Sequence, residues 1–311
     1  MAGKVKIQPA SRVSLEPLVD MAEQLRAALP GWQDTTPVPG RQRVQSDLAR
    51  DLRHLAHHDG DGFLTVSLGD EVVGFGAAYV RSRHLVISQP WIDPDVEEPK
   101  IVDVLLRRLL AFGERAAVSE AAAHLLGGAA DHAVFLRFGF RPRFPVYRMA
   151  LSGEQARHAG MELAKLHPGR ELTEEGLQRR AGSADLERLD RLARGFVRPM
   201  DHEYWLAERG LRLATVREGQ RIAGYAYGGL GQCGPVAAAT PEAALAALGW
   251  ALQFAAGEPA GPVTLLVPAT FEPALEHLFD AGATCLAVSH WMTRQQSPAF
   301  ERYILAAPLL A

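Results

Sequence analysis

The feature that most constrains this sequence is that it nearly repeats itself. IQPAS at 7–11 is matched by LQRRA at 177, the helix-forming stretch at Leu15 by one at Leu186, VVGFG with Gly74 by IAGYA with Gly224, and FLRFGF with Gly139 by HLFDAGA with Gly282. Met149 and Met292 each follow their glycine by ten residues. The spacing between matched positions shrinks from 170 residues (7 to 177) to 143 (139 to 282). The second copy is therefore shorter, and the losses fall in connections, which tolerate length change better than core elements do. A polar stretch with Gly153, Gly160, Pro168 and Gly169 as breakers separates the copies. We expect one domain over 1–152, a linker over 153–175 and a second domain over 176–311.

The length of 311 residues suits two such domains at ~150 residues each. An apolar share of 48% with 22% charged is that of a globular protein, and no apolar run nears the roughly 18 residues of a membrane span. The first residues lack the apolar stretch of a secretory signal, so a cytoplasmic, membrane-free protein is expected. A net charge of −3 with no basic stripe argues against a nucleic-acid partner. Cys233 and Cys285 are too few for a zinc site and read as small buried hydrophobes.

Each copy reads as βααβββαβαβ. In the first, HLVI at 84–87 has the bulky apolar pattern of a central strand, and Ile101, Leu105, Leu109 and Phe112 recur at helical spacing behind Pro99. A helix N-terminus aimed at a strand end is an anion site in principle.

This order, with its strand-loop-helix centre and its short helix ending in GF, resembles the GNAT N-acetyltransferase superfamily. The resemblance spans nearly the whole chain, as a tandem GNAT protein similar in layout to mycothiol synthases. It implies an α/β (α+β) fold of two tandem GNAT units, each a mixed, mostly antiparallel sheet flanked by helices. It also implies acetyl-CoA as cosubstrate, laid along the fourth strand, and a small-molecule primary amine as acceptor. The strand residues so implicated are Trp91 and Ile92 in the first copy and Val236, Ala237 and Ala238 in the second, with Thr240 capping the helix that follows.

The family's pyrophosphate loop, V-x-P-x-x-R/Q-G-x-G-x-G/A, is matched by Ile92 and Pro94 but carries Glu97, Glu98, Lys100 and Val102 at its key positions. The missing glycines deny the phosphates close backbone approach, and the glutamates repel them. They suit instead the first turn of a helix, where acidic groups complement the dipole. The second copy runs from strand straight into helix, with Thr240 as N-cap and Pro241 behind it. Where the family places a tyrosine to protonate departing CoA, the copies carry Phe135 and Leu278. Neither side chain has a proton to give.

Substitute chemistry is offered by RPMDHEYW at 198–205, where GNAT proteins wall their acceptor pocket. Asp201, His202 and Glu203 are candidate bases and Tyr204 a candidate acid; the competing reading is an exposed helix start with Trp205 packed on the domain. His54, His57 and His58 read as a solvated helix end, not as metal ligands, and no metal is expected. Tyr225, Tyr227, His290 and Trp291 read as lining the sheet of the second copy, and the apolar tail 297–311 must be docked somewhere. Two functions follow: an acyl-CoA-dependent N-acyltransferase with a divergent cofactor site, expected along the second copy's strand Val236 to Ala238 with acceptor contacts from Asp201 to Trp205, or a non-catalytic GNAT-fold protein that binds a small ligand or partner. The sequence leaves the acceptor and oligomeric state open.

Overall fold

A computed structural model describes residues 5–33, 47–88, 90–96, 100–166, 171–175, 184–257, 261–296 and 298–310. Glu97, Glu98 and Pro99, like LQRRA at 177 and the expected helix start at Val44, lie outside the described residues. Two compact units interleave along the sequence. The first draws on Met1–Gln33, Arg43–Arg143 and His290–Gln296, the second mainly on Phe144–Ser289 and Ser297–Ala311.

The first unit runs β1 (Val5–Pro9), α1 (Glu16–Ala28), α2 (Asp47–His58), β2 (Phe63–Leu68), β3 (Glu71–Arg81), β4 (His84–Ile87), β5 (Trp91–Ile92), α3 (Ile101–Arg115), β6 (Glu120–Leu125) and α4 (Ala129–Arg137), and contains the start of β7 (Arg141–Leu151). Its strands are ordered β1-β2-β3-β4-β6 and are antiparallel except for the parallel pair β4/β6. The last place is filled from far along the chain. His290–Thr293 pair antiparallel with β6, from His290↔Leu125 to Thr293↔Ala122. Ile101, Leu105 and Leu109, one helical face of α3, are buried with Val66, Ile87, Ala123, Phe135 and Met292. Gly76 lets α3 approach closely, because a Cβ there would meet Leu105 and Leu109 at 3.0 Å.

The second unit continues β7 and adds α5 (Gly153–Leu166), β8 (Glu171–Glu175), α6 (Ala184–Arg194), α7 (Pro199–Ala207), β9 (Arg212–Glu218), β10 (Arg221–Gly229), β11 (Gln232–Ala238), α8 (Pro241–Ala256), β12 (Val263–Pro268), α9 (Glu272–Asp280), the first part of β13 (Thr284–Thr293) and β14 (Tyr303–Ile304). Its order is β7-β12-β11-β10-β9-β8, again antiparallel save for one central parallel pair, β11/β12. Here the borrowed strand is β7, paired from Val146↔Pro268 to Leu151↔Val263. No helix among the described residues is long and apolar enough to cross a membrane.

The stretch read as a linker holds α5, which packs on α8. Its apolar side is built of small residues, Ala156, Ala159 and Gly160 with Leu163, so it carries little hydrophobic signal. The contact is correspondingly close: a Cβ on Gly160 would stand 2.4 Å from the Gly249 carbonyl oxygen. α8 is buried along most of its length, and Thr240 accepts a hydrogen bond from the Ala243 N–H at 3.2 Å, the expected cap.

The internal match holds at its glycines. Gly74 pairs with Ile92 and Gly224 with Ala238, each beside a register shift. Gly139 and Gly282 end α4 and α9 with φ of +86° and +84°, a left-handed stop that glycine adopts without strain. Two expectations change. His290 and Trp291 belong to the first unit, because the end of β13 pairs with β6, and Cys285 is exposed while Cys233 is buried.

Candidate active site

In the first unit the parallel pair β4/β6 keeps register only from His84↔Glu120 to Ile87↔Ala123. Beyond Ile87 the chain turns to β5, which pairs with β3 through Gly74↔Ile92 and Phe75↔Trp91. No described residue pairs with the other edge of β5, so β5 and the end of β6 part with a strand edge unfilled. Trp91 is buried against Phe75, ring centroids 6.1 Å apart, and its indole N–H has no hydrogen-bond partner among the described residues. Clefts at the carboxyl ends of parallel strands are where α/β sheets take ligands.

Two further features belong to this unit. A cavity of about 310 Å³ is lined by Val5, Ile7, Ile101 and Val104, with Lys100 and Arg108 as its cations. Lys100 stands at the N-terminus of α3, without a side-chain cap. At the start of α4, directly after β6, His132 Nδ1 donates to the Gly128 carbonyl at 2.9 Å. The Nε2 of His132 is buried without a hydrogen-bond partner among the described residues, and the ring meets His290 edge-on at 4.7 Å. Burial, then the nearby His132, pushes the pKa of His290 down. One turn further on, Phe135 is fully enclosed.

The residues at 201–204 are placed differently from an exposed helix start. Asp201, His202 and Tyr204 are buried, Trp205 packs inside, and only Glu203 faces solvent. His202 is held at both ring nitrogens, Nε2 to Asp190 and Nδ1 to the Tyr227 hydroxyl, each at 2.9 Å. Tyr225 donates to the other oxygen of Asp190, Arg198 donates to the Tyr225 hydroxyl at 3.1 Å, and Arg198 Nε lies 3.4 Å from Asp190. Arg194 donates to Tyr303 at 3.2 Å. Burial alone would raise the pKa of Asp190; the charge of Arg198, with His202 and Arg194, outweighs it and brings it down to about 2. Burial raises Tyr225 and Tyr227, and the adjacent carboxylate adds to this. Both nitrogens of His202 are thus occupied within the cluster. The cluster leaves a signal in the sequence: Asp190, Arg194 and Arg198 recur at four-residue spacing, with Arg198 opening the motif at 198–205 and the other two preceding it.

The strand residues singled out in the two copies occupy the same place. Trp91 and Ile92 pair with Phe75 and Gly74 as Ala237 and Ala238 pair with Tyr225 and Gly224. In the second unit, however, the free edge is covered, since Val236 and Ala237 pair with Ile304 and Tyr303 of β14. Of the three histidines, His57 and His58 are exposed as expected, whereas His54 is buried. Among the described residues no group of three or more His, Cys, Asp or Glu is arranged to hold a metal ion.

No protein-family model matches the sequence, and no curated protein matches it either. Solved structures do. A candidate acetyltransferase from Pyrococcus horikoshii is 18% identical with a TM-score of 0.69, over 99% of this chain and 96% of that one. A tandem GNAT protein from the clavulanic acid biosynthesis pathway is 13% identical with a TM-score of 0.56, over 93% and 98%. A GCN5-related N-acetyltransferase from Sphaerobacter thermophilus is 13% identical with a TM-score of 0.55, over 93% and 95%. With two units, each a mixed sheet built around one parallel strand pair and flanked by helices, the chain has the GCN5-related N-acetyltransferase fold.

Proposed function

We propose that the protein is an acyl-CoA-dependent N-acyltransferase acting on a primary amine of a small molecule, with its reaction centre in the first unit. The observation that carries this reading is the parting of β4/β5 from β6 at their carboxyl ends, with the edge of β5 unfilled by any described residue. The pantetheine arm of acetyl-CoA would pair with that edge at Trp91 and Ile92. Lys100 and Arg108 supply the positive charge that the pyrophosphate end requires and that the degenerate loop does not.

Chemically the step asks little of the protein beyond position. The amine nitrogen attacks the thioester carbonyl, the C–N bond forms, the C–S bond breaks, and CoA leaves as the thiolate. The amine loses a proton and the thiolate ends as a thiol. His132 is suited to accept that proton, since its Nδ1 is committed to the Gly128 carbonyl and its Nε2 has no hydrogen-bond partner among the described residues. Alignment of amine and thioester supplies most of the acceleration in such a transfer. In the second unit Asp201, His202, Glu203 and Tyr204 would serve structure, with Val236–Ala238 and Thr240 framing a cleft that β14 covers.

The test is calorimetric titration with acetyl-CoA, followed by thiol release in the presence of a panel of primary amines. Saturable binding with amine-dependent thiol release supports the reading. No heat at millimolar acetyl-CoA refutes it and favours a GNAT-fold protein that binds another ligand.

A further inference from the structure

The two units differ at one place that sequence matching does not reveal. β11 and β12 run parallel but pair only at Gln232↔Thr264, then diverge. The chain's own tail fills the gap. β14 pairs antiparallel with β11 through Val236↔Ile304 and Ala237↔Tyr303, and the Leu305 N–H donates to the Leu266 carbonyl of β12 at 3.1 Å. One segment thus satisfies the facing edges of both strands.

The surroundings are shaped to hold it. Arg302 donates to the carbonyls of Ala239 and Leu192 at 2.9 and 3.0 Å, and Gln232 donates to that of Ala306 at 2.7 Å. A side chain at Gly234 would put its Cβ 2.5 Å from the Leu305 oxygen, so the strand is bare where the tail crosses it. The Tyr303 hydroxyl accepts from the buried Arg194, and Phe300, Tyr303, Ile304, Leu305, Leu309 and Leu310 are each at most 2% exposed. In the first unit, Trp91 occupies the position of Ala237, and no described residue pairs with that edge.

We propose that the tail, Pro298–Leu310, is the permanent occupant of the second unit's cleft. It is a strand plug that takes the main-chain contacts an extended ligand would make, so the chain binds one acyl-CoA, in the first unit. The plug itself follows from the pairing above; the identity of the ligand rests on the acyl-transfer reading. An edge strand that is already augmented offers no template for a second extended partner.

The test joins calorimetry of the full chain with amide exchange of Tyr303–Leu310, with and without acetyl-CoA. The expected result is one acetyl-CoA per chain and tail amides that exchange as slowly as those of β10, unchanged by ligand. Two molecules per chain, fast exchange of the tail, or exchange that rises on adding acetyl-CoA would overturn the plug. No binding with a protected tail would overturn the acyl-transfer reading while supporting the plug. Deleting the tail exposes a core and risks unfolding, so the second variant locks it instead: Val236→Cys with Ile304→Cys, compared oxidised and reduced. Acetyl-CoA affinity within twofold between the two forms is expected, and a tenfold loss on oxidation would mean that the tail must leave for ligand to enter.

Discussion

Asp190→Asn keeps the volume at the centre of the second unit's polar cluster and removes only its charge. In the wild-type protein the carboxylate pKa is brought down to about 2 from 3.8, a difference that corresponds to roughly 2 kcal/mol of stability at neutral pH. The sign follows from the depressed value: this contribution is present in full above pH 3.8 and disappears as pH falls through 2. The substitution costs more than that difference. It leaves Arg198, 1% exposed and 3.4 Å from the carboxylate, without its counter-charge, and breaking one partner of a buried pair typically costs about 3–5 kcal/mol. A neutral amide still offers one oxygen to Tyr225 or His202, which returns about 1 kcal/mol. The net expectation is a loss of about 2–4 kcal/mol in the urea transition followed through the second unit. Arg198→Met on the same background should recover much of it, because the orphaned cation is then gone. A loss under about 1 kcal/mol, or a double variant whose effects simply add, would refute the view that this cluster is held by charge pairing.

Gly160→Ala should destabilise by about 1–3 kcal/mol, since its methyl would stand 2.4 Å from the Gly249 oxygen and α5 would have to lift from α8; thermal unfolding within a degree of wild type would contradict that packing. The depressed pKa values of His290 and His58 mean that the unfolded chain takes up protons first, so stability should fall as pH drops below 6.5. His290→Leu should flatten part of that slope in urea midpoints measured between pH 5 and 7, and an unchanged slope would remove His290 from the account. His132→Gln is expected to lower the turnover of acetyl transfer by about 10²-fold or more, with acetyl-CoA affinity within threefold. Equal losses in both would make His132 a structural residue.

What the sequence disclosed, and what it withheld, follow from the range of the forces involved. Gly74, Gly224, Gly139 and Gly282 were legible because a register shift or a left-handed stop is a local demand that glycine alone meets cheaply. Thr240 was legible as a cap for the same reason. The exchange of β7 and β13 was not, because alternation fixes which face a residue uses and says nothing of which strand lies beside it. α5 was hidden by its small residues, and β8 (ELTEE) by its polarity, which suits a strand that pairs, among the described residues, with β9 alone; that left LQRRA as the apparent match. The stretch at 201–204 carries reactive residue types, while the residues that occupy His202, Asp190 and Tyr227, lie 12 and 25 positions away. Spacing along one helix cannot show that a histidine is already spoken for.

The borrowed strand of the first unit also sets a schedule. β6 ends at Leu125, yet its neighbour begins at His290, 165 residues later on a ribosome that adds about 5–20 residues per second. For roughly 10–30 s the nascent first unit has every helix and strand it needs except one, and the free flank of β6 waits as an open template. A chain of this design is exposed to mispairing during synthesis in a way that two separate domains are not. Chaperone dependence should accordingly peak while the second half is being translated and end as Thr293 leaves the exit tunnel.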